Sequence, residues 1–342
     1  MYASDVHDTT TNAGAERVNA TGTGAVDGRP MSDSAVEVRG LGKQYGELWA
    51  LRNLDLAVPR GTVLGLLGHN GAGKTTAIRI LTTLALPTEG VASVAGHDVV
   101  LDPDAVRRSI GVAAQEATVD GLLTAHGNLV MVGRLHGQSA RAARRQAHDL
   151  LAQVDLADAA DKLAKDLSGG MRRRLDLAAS LMSNPSVLFL DEPTTGLDPR
   201  SRNDLWDLLR GLVRDGTTII LTTQYLEEAD RLADDVVVLD HGLTVAHGTP
   251  QELKAQIGGD RVDVSSASPH ELERIVEATL PFASQPASID KESGMVTIPV
   301  RADVRLMDVM HAVDDAGIDV VDINRRQATL DDVFLILTES PR

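Results

Sequence analysis

The chain has 342 residues and is 43% hydrophobic but only 2% aromatic; since a single core rarely grows far beyond about 250 residues, two domains are predicted. Its formal net charge of −16 argues against nucleic acid or a bare anionic membrane as the main partner. It contains no cysteine, which excludes disulfides, thiol nucleophiles and cysteine metal ligands and fits a reducing interior such as the cytoplasm.

The first 34 residues show no helical or strand pattern. They are rich in Thr, Gly, Ala and Asp, so they cannot bury enough surface to offset the entropy of ordering, and a disordered tail is expected. Met31 lies near its end and is a second candidate for the true start. No apolar run approaches the roughly 18 to 20 residues that a bilayer span needs, and the N-terminus lacks a secretion signal. We therefore expect a chain that neither spans a membrane nor is secreted.

Residues 35–258 alternate short apolar runs with helical patterns, which predicts one α/β domain. The alternation is typical of a mostly parallel sheet covered by helices. From about residue 117 to 164 the strand signals disappear, and the amphipathic pattern there predicts a helical insertion. The predicted strands lie near residues 36–38, 54–58, 63–67, 187–190, 217–222 and 236–239.

A smaller α+β domain is predicted for residues 259–342, after the pair Gly258-Gly259. Its strand patterns fall near residues 261–265, 295–300 and 319–323, with a helix pattern over 304–316. The sequence does not give its role; one hypothesis is that two such domains meet across a two-fold axis and stabilise a dimer.

A glycine-rich motif joins the strand at 63–67 to a helical pattern that starts near Ala77. Residues 68–75 fit G-x-x-x-x-G-K-[ST], in which backbone N–H groups at a helix N-terminus surround phosphate oxygens. Lys74 supplies a positive charge to the β and γ phosphates, and Thr75 can bind Mg²⁺. The motif predicts nucleoside triphosphate binding by Gly68, Asn70, Gly71, Gly73, Lys74, Thr75 and Thr76.

The apolar strand at 187–190 ends in two carboxylates, Asp191 and Glu192. Asp191 is predicted to hold Mg²⁺ and Glu192 to polarise the attacking water. Without the upstream phosphate loop, two solvated acids at a strand end would be the better interpretation; the loop reverses that preference.

A second anion site is predicted at Ser168-Gly169-Gly170, where a hydroxyl and two glycine N–H groups open a helix. This run, about twenty residues before the carboxylate strand, resembles the signature of ABC ATPases. The resemblance implies a P-loop NTPase fold with an antiparallel β subdomain. It also implies a head-to-tail homodimer in which the Ser168 segment of one chain covers ATP held at Lys74 of the other.

The same resemblance assigns four further residues. Tyr45 is implied to stack on adenine, although a plain strand-end aromatic is at least as good an interpretation of that residue alone. Gln115 is implied to contact Mg²⁺ and face a membrane subunit, and Asp198 to connect the two nucleotide sites. Gln224 occupies the switch position, where the family usually has His. Because Gln cannot become cationic, slow or partner-dependent hydrolysis is expected.

Gln224, Met171 and residues 328–334 together resemble the daunorubicin-resistance type of ABC ATP-binding subunit. This implies a subunit that hydrolyses ATP, with Mg²⁺, to power export of a hydrophobic drug or antibiotic. It would act through transmembrane permease subunits, peripherally at the cytoplasmic face of the cell membrane, with no nucleic-acid partner. Glu192, Lys74 and Gln224 are the candidate catalytic residues.

Three matters stay open from the sequence. The alternative function is a soluble ABC-type ATPase that acts as a regulator, or on nucleic acid or ribosomes. The arginine run at residues 172–174 suits a solvated helix face and a nucleotide role about equally well. The transported substrate and the direction of transport do not follow from these residues.

Overall fold

The computed structural model describes residues 34–114, 118–257, 259–301 and 303–339. The predicted tail, apart from Ser34, and Gln115 lie outside these ranges. The strands are β1 (Ser34–Tyr45), β2 (Leu48–Pro59), β3 (Val63–Leu67), β4 (Glu89–Val94), β5 (His97–Asp98), β6 (Ile110–Ala113), β7 (Val187–Asp191), β8 (Thr218–Thr223), β9 (Asp235–Asp240), β10 (Leu243–Gly248), β11 (Arg261–Ser265), β12 (Ser288–Asp290), β13 (Met295–Pro299) and β14 (Asp322–Arg326). The helices are α1 (Lys74–Leu81), α2 (Pro103–Ser109), α3 (Ala125–Leu135), α4 (Ala140–Gln153), α5 (Gly169–Ser180), α6 (Pro199–Arg214), α7 (Leu226–Leu232), α8 (Pro250–Gln256), α9 (Leu272–Thr279), α10 (Leu306–Asp315) and α11 (Leu330–Glu339).

The central sheet has the order β10-β9-β3-β8-β7-β6. Its pairs are parallel except for β10, which runs antiparallel to β9 at one edge. Strand β3 lies between β8 and β9 and is buried along its whole length, as expected for a continuous apolar run covered on both faces. The loop after β3 therefore starts from the middle of the sheet.

Two hydrophobic clusters cover the two faces of this sheet. Alternate residues of β7 point to opposite sides: Val187 and Phe189 join the cluster with α1 and the first two strands, whereas Leu188 and Leu190 join the cluster with α3 to α6. Helices α3 and α4 lie in the chain between β6 and β7, where helical structure alone was predicted.

A four-stranded antiparallel sheet, of order β2-β1-β4-β5, packs on the first of these clusters. Strands β1 and β2 are longer than their sequence patterns indicate, because irregular register and exposed residues interrupt the alternation. The parallel-rich centre with antiparallel strands at its side confirms the predicted fold class.

A third sheet, of order β12-β13-β11-β14, is antiparallel and has its own hydrophobic cluster with α9 and α10. Its last strand is Asp322–Arg326 rather than the predicted 319–323. The shift arises because Asp322 pairs with Ser265 and Arg326 with Arg261, while Ile318 packs into the cluster before the strand begins. Strand β12, α9 and α11 were not predicted.

Helix α11 returns from this third sheet to the central one. Leu330 and Val333 of α11 are buried in one cluster with Leu67 of β3, Val238 of β9 and Leu253 of α8. Helix α11 therefore packs against strands β3 and β9 of the central sheet.

Leu330→Ala is therefore expected to lower the free energy of unfolding by about 2–5 kcal/mol, since Leu330 is 2% exposed and its truncation leaves a cavity. Leu335→Ala, on the same helix but 47% exposed, is the control and is expected to change stability by about 0.5 kcal/mol or less. Urea unfolding measures both. Equal effects would contradict the docking of α11.

A buried carboxylate joins α6 to α7. The Trp206 indole N–H donates to Glu228 Oε1 at 3.2 Å, and both side chains are fully enclosed. Burial raises the pKa of Glu228, and the hydrogen bond from Trp206 offsets this only in part. The folded protein therefore holds this proton more tightly than the unfolded chain does.

We expect the stability of the wild type to fall relative to Glu228→Gln as the pH rises above 4.5, the ordinary value for this carboxyl. The reason is that ionised Glu228 is costly only in the folded state, whereas the amide does not titrate. Urea unfolding of both proteins across the pH range measures the gap. A gap that does not vary with pH would contradict the assignment.

Candidate functional site

The loop of residues 68–73 packs its backbone tightly against neighbouring backbone. Gly68 and Gly73 have φ values of 154° and 110°. A Cβ on Gly68 would lie 2.4 Å from the Leu239 carbonyl oxygen, and one on Gly73 would lie 2.6 Å from that of Ala50. Only glycine fits at these two positions. Gly71 also has a positive φ, of 87°, but faces open space.

Lys74 opens α1 and turns its ammonium group back into the loop. Its Nζ donates to the carbonyl oxygens of Gly68 at 2.7 Å and His69 at 3.2 Å, and the residue is only 5% exposed. Burial lowers the pKa of Lys74, while the nearby charges of Glu192 and Asp191 act in the opposite direction. The structure thus places a buried cation inside the loop with two carboxylates close by.

Asp191 lies at the carboxyl end of β7, in register with Thr222 of β8. The Thr222 hydroxyl donates a short hydrogen bond to Asp191 Oδ1, and the Thr75 hydroxyl lies 3.5 Å from Oδ2. A hydroxyl and a carboxylate are the hard oxygen ligands that Mg²⁺ takes from proteins, so this pair fits the ion. Gln115, the third predicted ligand, is outside the described residues.

Glu192 has a φ of +48°, in the left-handed region that is uncommon for a residue with a side chain. Its N–H donates to the Thr222 carbonyl oxygen at 3.0 Å and lies 3.1 Å from the Thr222 hydroxyl. Its Oε2 accepts from the Thr195 hydroxyl at 3.1 Å. These bonds hold Glu192 in its strained conformation beside Asp191. Backbone strain of this kind is common at functional sites.

Ser168 and Asp198 begin neighbouring helices. Ser168 Oγ accepts from the Met171 N–H at 3.3 Å at the start of α5. Asp198 accepts from the Ser201 N–H at 3.0 Å and hydroxyl at 2.7 Å at the start of α6, and these bonds lower the pKa of Asp198. A Cβ on Gly170 would lie 2.7 Å from the Ser201 hydroxyl, so Ser201 brings the two helix starts together.

Four further predicted site residues are Gly169, Asn70, Thr76 and Gln224. Gly169 faces open space, Asn70 is exposed in the loop and Thr76 is half-buried on α1. Gln224 is exposed, two residues beyond Thr222 at the end of β8.

Tyr45 is about half exposed at the end of β1, and the Lys43 ammonium lies 5.0 Å from its ring centre. Its strand pairs with β2, which touches the loop through Ala50.

Arg173 is a site residue that sequence reasoning left out. Its guanidinium is nearly buried and donates to the carbonyl oxygens of Asp191 at 3.0 Å, Glu192 at 3.2 Å and Pro193 at 2.9 Å. It also donates to Ala114 at 2.5 Å, next to the undescribed segment that contains Gln115. Arg173 therefore fixes the backbone that carries both carboxylates.

Neither interpretation of the arginine run holds for Arg173, which is not solvated and binds protein backbone. Its position was a usable signal, because it precedes buried Leu177 by four residues and so lies on the buried face of α5. It also lies 3.7 Å from the buried carboxylate of Asp176.

Two family models match the chain. The model for "ABC transporter" matches residues 51–195, and the model for "ATP-binding protein DrrA1-3-like, C-terminal domain" matches residues 248–338. Among solved structures, a dimeric ATP-binding cassette in a post-hydrolysis state with ADP and Pi is similar at 28% identity. Its TM-score is 0.57, and the match covers 63% of this chain and 98% of that one.

Several relatives that match over most of their length have higher sequence identity to this chain than that solved structure has. Daunorubicin resistance ATP-binding protein DrrA3 of Streptomyces coeruleorubidus is 51% identical over 91% of this chain and 98% of its own length. Daunorubicin/doxorubicin resistance ATP-binding protein DrrA of Streptomyces peucetius is 48% identical over 90% and 93%. A Nod factor export ATP-binding protein of Sinorhizobium fredii is 38% identical over 91% and 88%.

These findings confirm the predicted family and the predicted ATPase activity, and they do not favour the alternative of a regulator or a nucleic-acid ATPase. Among the described residues, no helix is both long and apolar enough to cross a bilayer. The chain belongs to the ATP-hydrolysing, ATP-binding proteins of ABC transporters and, within them, to the daunorubicin-resistance family.

Proposed function

We propose that this chain powers the export of a hydrophobic drug or antibiotic through separate permease subunits at the cytoplasmic face of the cell membrane. One observation carries the catalytic part: Lys74, Asp191 and Glu192 lie together at the carboxyl ends of β3 and β7, the two parallel strands on either side of β8. The resistance and export names of its relatives support the transport part.

The chain's residues divide the chemistry of phosphoryl transfer. The Lys74 ammonium neutralises charge on the phosphates, and the loop N–H groups orient them. Glu192, fixed by Thr222 and Thr195, accepts a hydrogen bond from the attacking water and aligns it. Mg²⁺, held by Thr75 and Asp191, would supply further positive charge at the phosphates. Gln224 donates a hydrogen bond to the γ-phosphate without adding charge.

A second copy of the chain completes the site in this proposal. The Ser168 segment presents a hydroxyl, the open Gly169 and a helix N-terminus. Together these groups suit the phosphates of an ATP held at Lys74 of the other copy. The solved cassette with ADP and Pi is dimeric, which supports the pairing of two copies. ATP would then join the two copies, with Asp198 beside each Ser168 segment, and hydrolysis would release them.

Glu192→Gln is expected to bind ATP with unchanged affinity but to lower kcat by about 10²–10⁴-fold, because the amide cannot serve as the base. The variant should also stay dimeric in ATP and Mg²⁺. Steady-state ATPase assays and size-exclusion chromatography measure the two effects. Glu277→Gln, on the exposed face of α9, is the control and should behave as the wild type. Normal turnover in Glu192→Gln would remove Glu192 from the base role.

A groove beside strand β6 is the proposed contact for the permease. Its cavity volume is about 350 Å³, and it is formed by the ends of α1 and α2, strand β6 and helices α3 and α5. Leu84 in its lining is 73% exposed, and Leu86, two residues further along the chain, is 64% exposed. An exposed apolar surface of this kind suits a cytoplasmic segment of a membrane protein. The groove's lining includes Thr82, Leu84, Arg107, Thr118, Val132 and His136.

Leu84→Glu is expected to leave the basal ATPase rate of the purified chain unchanged. It should lower co-purification with the permease, and the stimulation of ATPase by permease-containing membranes, by about tenfold, since it places a charge on this apolar surface. Leu280→Glu, 67% exposed near the third sheet, is the matched control. Loss of permease binding in both variants, or in neither, would contradict the assignment of this groove.

A further inference from the structure

A cluster of potential metal ligands contains His69, Asp240 and His241. His69 belongs to the loop, Asp240 ends β9 and His241 begins the turn to β10. His69 Nε2 lies 2.9 Å from Asp240 Oδ1, and His241 Nε2 lies 3.7 Å from the same oxygen. The three potential ligand atoms are all within 4.8 Å of one another. Asp240 is only 8% exposed, so its carboxylate is largely shielded from solvent.

The hydrogen bonds of His69 fix where its protons lie. Nδ1 is 2.7 Å from the Asn70 carbonyl oxygen, which can only accept, so Nδ1 carries a hydrogen. In the neutral ring, Nε2 then presents a lone pair to a carboxylate oxygen 2.9 Å away. Two acceptors at that distance repel unless a cation lies between them. The cation is either a second ring proton or a metal ion.

The position of His241 favours the metal. A shared proton needs only His69 and Asp240, whereas a metal ion needs further ligands, and His241 Nε2 lies 3.7 Å from the same Asp240 oxygen. Metal-binding histidines commonly donate their other N–H to a backbone carbonyl, as His69 does to Asn70. We propose that His69, Asp240 and His241 bind a transition-metal ion of the Zn²⁺ class.

The donor set separates this site from the Mg²⁺ site. Two imidazole nitrogens and one carboxylate suit Zn²⁺, Co²⁺ or Ni²⁺, whereas Mg²⁺ prefers an all-oxygen set such as that of Thr75 and Asp191. Three protein ligands leave at least one coordination position for water.

Metal binding here would connect two segments that already touch. The Gly242 N–H donates to the Ala72 carbonyl oxygen at 3.0 Å, so the turn after β9 supports the loop through its backbone. A metal ion held by His69 and His241 adds a side-chain link between the same segments. Binding to the folded chain alone therefore stabilises the loop against opening and the protein against unfolding.

The test is a Zn²⁺ titration of the untagged full chain, stripped of metal with EDTA, desalted and kept free of nucleotide. Calorimetry is expected to find one Zn²⁺ per chain, and thermal unfolding a higher Tm with Zn²⁺. Excess Mg²⁺ should leave both results unchanged. Neither measurement depends on ATP turnover.

His241→Asn is the diagnostic variant, since His241 has a φ of +47° and Asn tolerates this conformation. It should weaken Zn²⁺ binding at least about tenfold and abolish the Tm increase while circular dichroism stays unchanged. Asp240→Asn should do the same. His148→Asn is the matched control, because His148 is an exposed histidine next to an aspartate and should bind Zn²⁺ as the wild type does.

Two outcomes would overturn the proposal. One is a wild-type chain that binds no Zn²⁺, which would assign the cation to a proton shared by His69 and Asp240. The other is equal Zn²⁺ affinity for the wild type and His241→Asn, which would place the bound ion elsewhere.

Discussion

The close approach of backbone to backbone around the phosphate-binding loop is the constraint on which the site depends. Gly68 lies against the end of β9 and Gly73 against β2, at distances that leave no room for a Cβ. Because the loop is held from two sides, its N–H groups and the start of α1 have fixed directions before any ligand arrives. This preorganisation matters because phosphoryl transfer depends mostly on positioning and electrostatic stabilisation.

The parallel register of the central sheet then brings the remaining groups to that loop. Thr75 and Asp191 are 116 residues apart in the chain, yet their oxygens lie 3.5 Å apart, because β3, β8 and β7 are adjacent and end at the same edge. Thr222, on the strand between the other two, supports Asp191 through its hydroxyl and Glu192 through its carbonyl oxygen. One threonine on a buried strand thus holds the Asp191 carboxylate and the Glu192 backbone.

Local patterns were sufficient for the features that depend on local chemistry. The glycine motif, the carboxylates after an apolar strand and the apolar runs of β3 and β7 follow from residue spacing, so an α/β nucleotide-binding fold could be inferred. The family was inferred from the resemblance of Ser168-Gly169-Gly170 to the ABC ATPase signature. Arg173 could not be assigned in this way, because its role depends on carbonyl groups up to 59 residues away. The positive φ of Glu192 was equally hidden, since nothing in its neighbours requires it.

In the third sheet, too, sequence patterns predicted some helices and strands and missed others. Strands β11 and β13 were predicted from their apolar patterns, and β14 with shifted bounds, whereas β12 and α9 were missed although they pack in the same core. Helix α11 was also missed, and its apolar face packs outside that core. Leu330 and Val333 share a cluster with Leu67 and Val238, and Leu67 immediately precedes Gly68 in the chain. Docking of the last helix therefore supports the strands that carry the loop and the turn behind it. A change in the packing of α11 has a direct physical route, through β3 and β9, to the backbone that surrounds the phosphates.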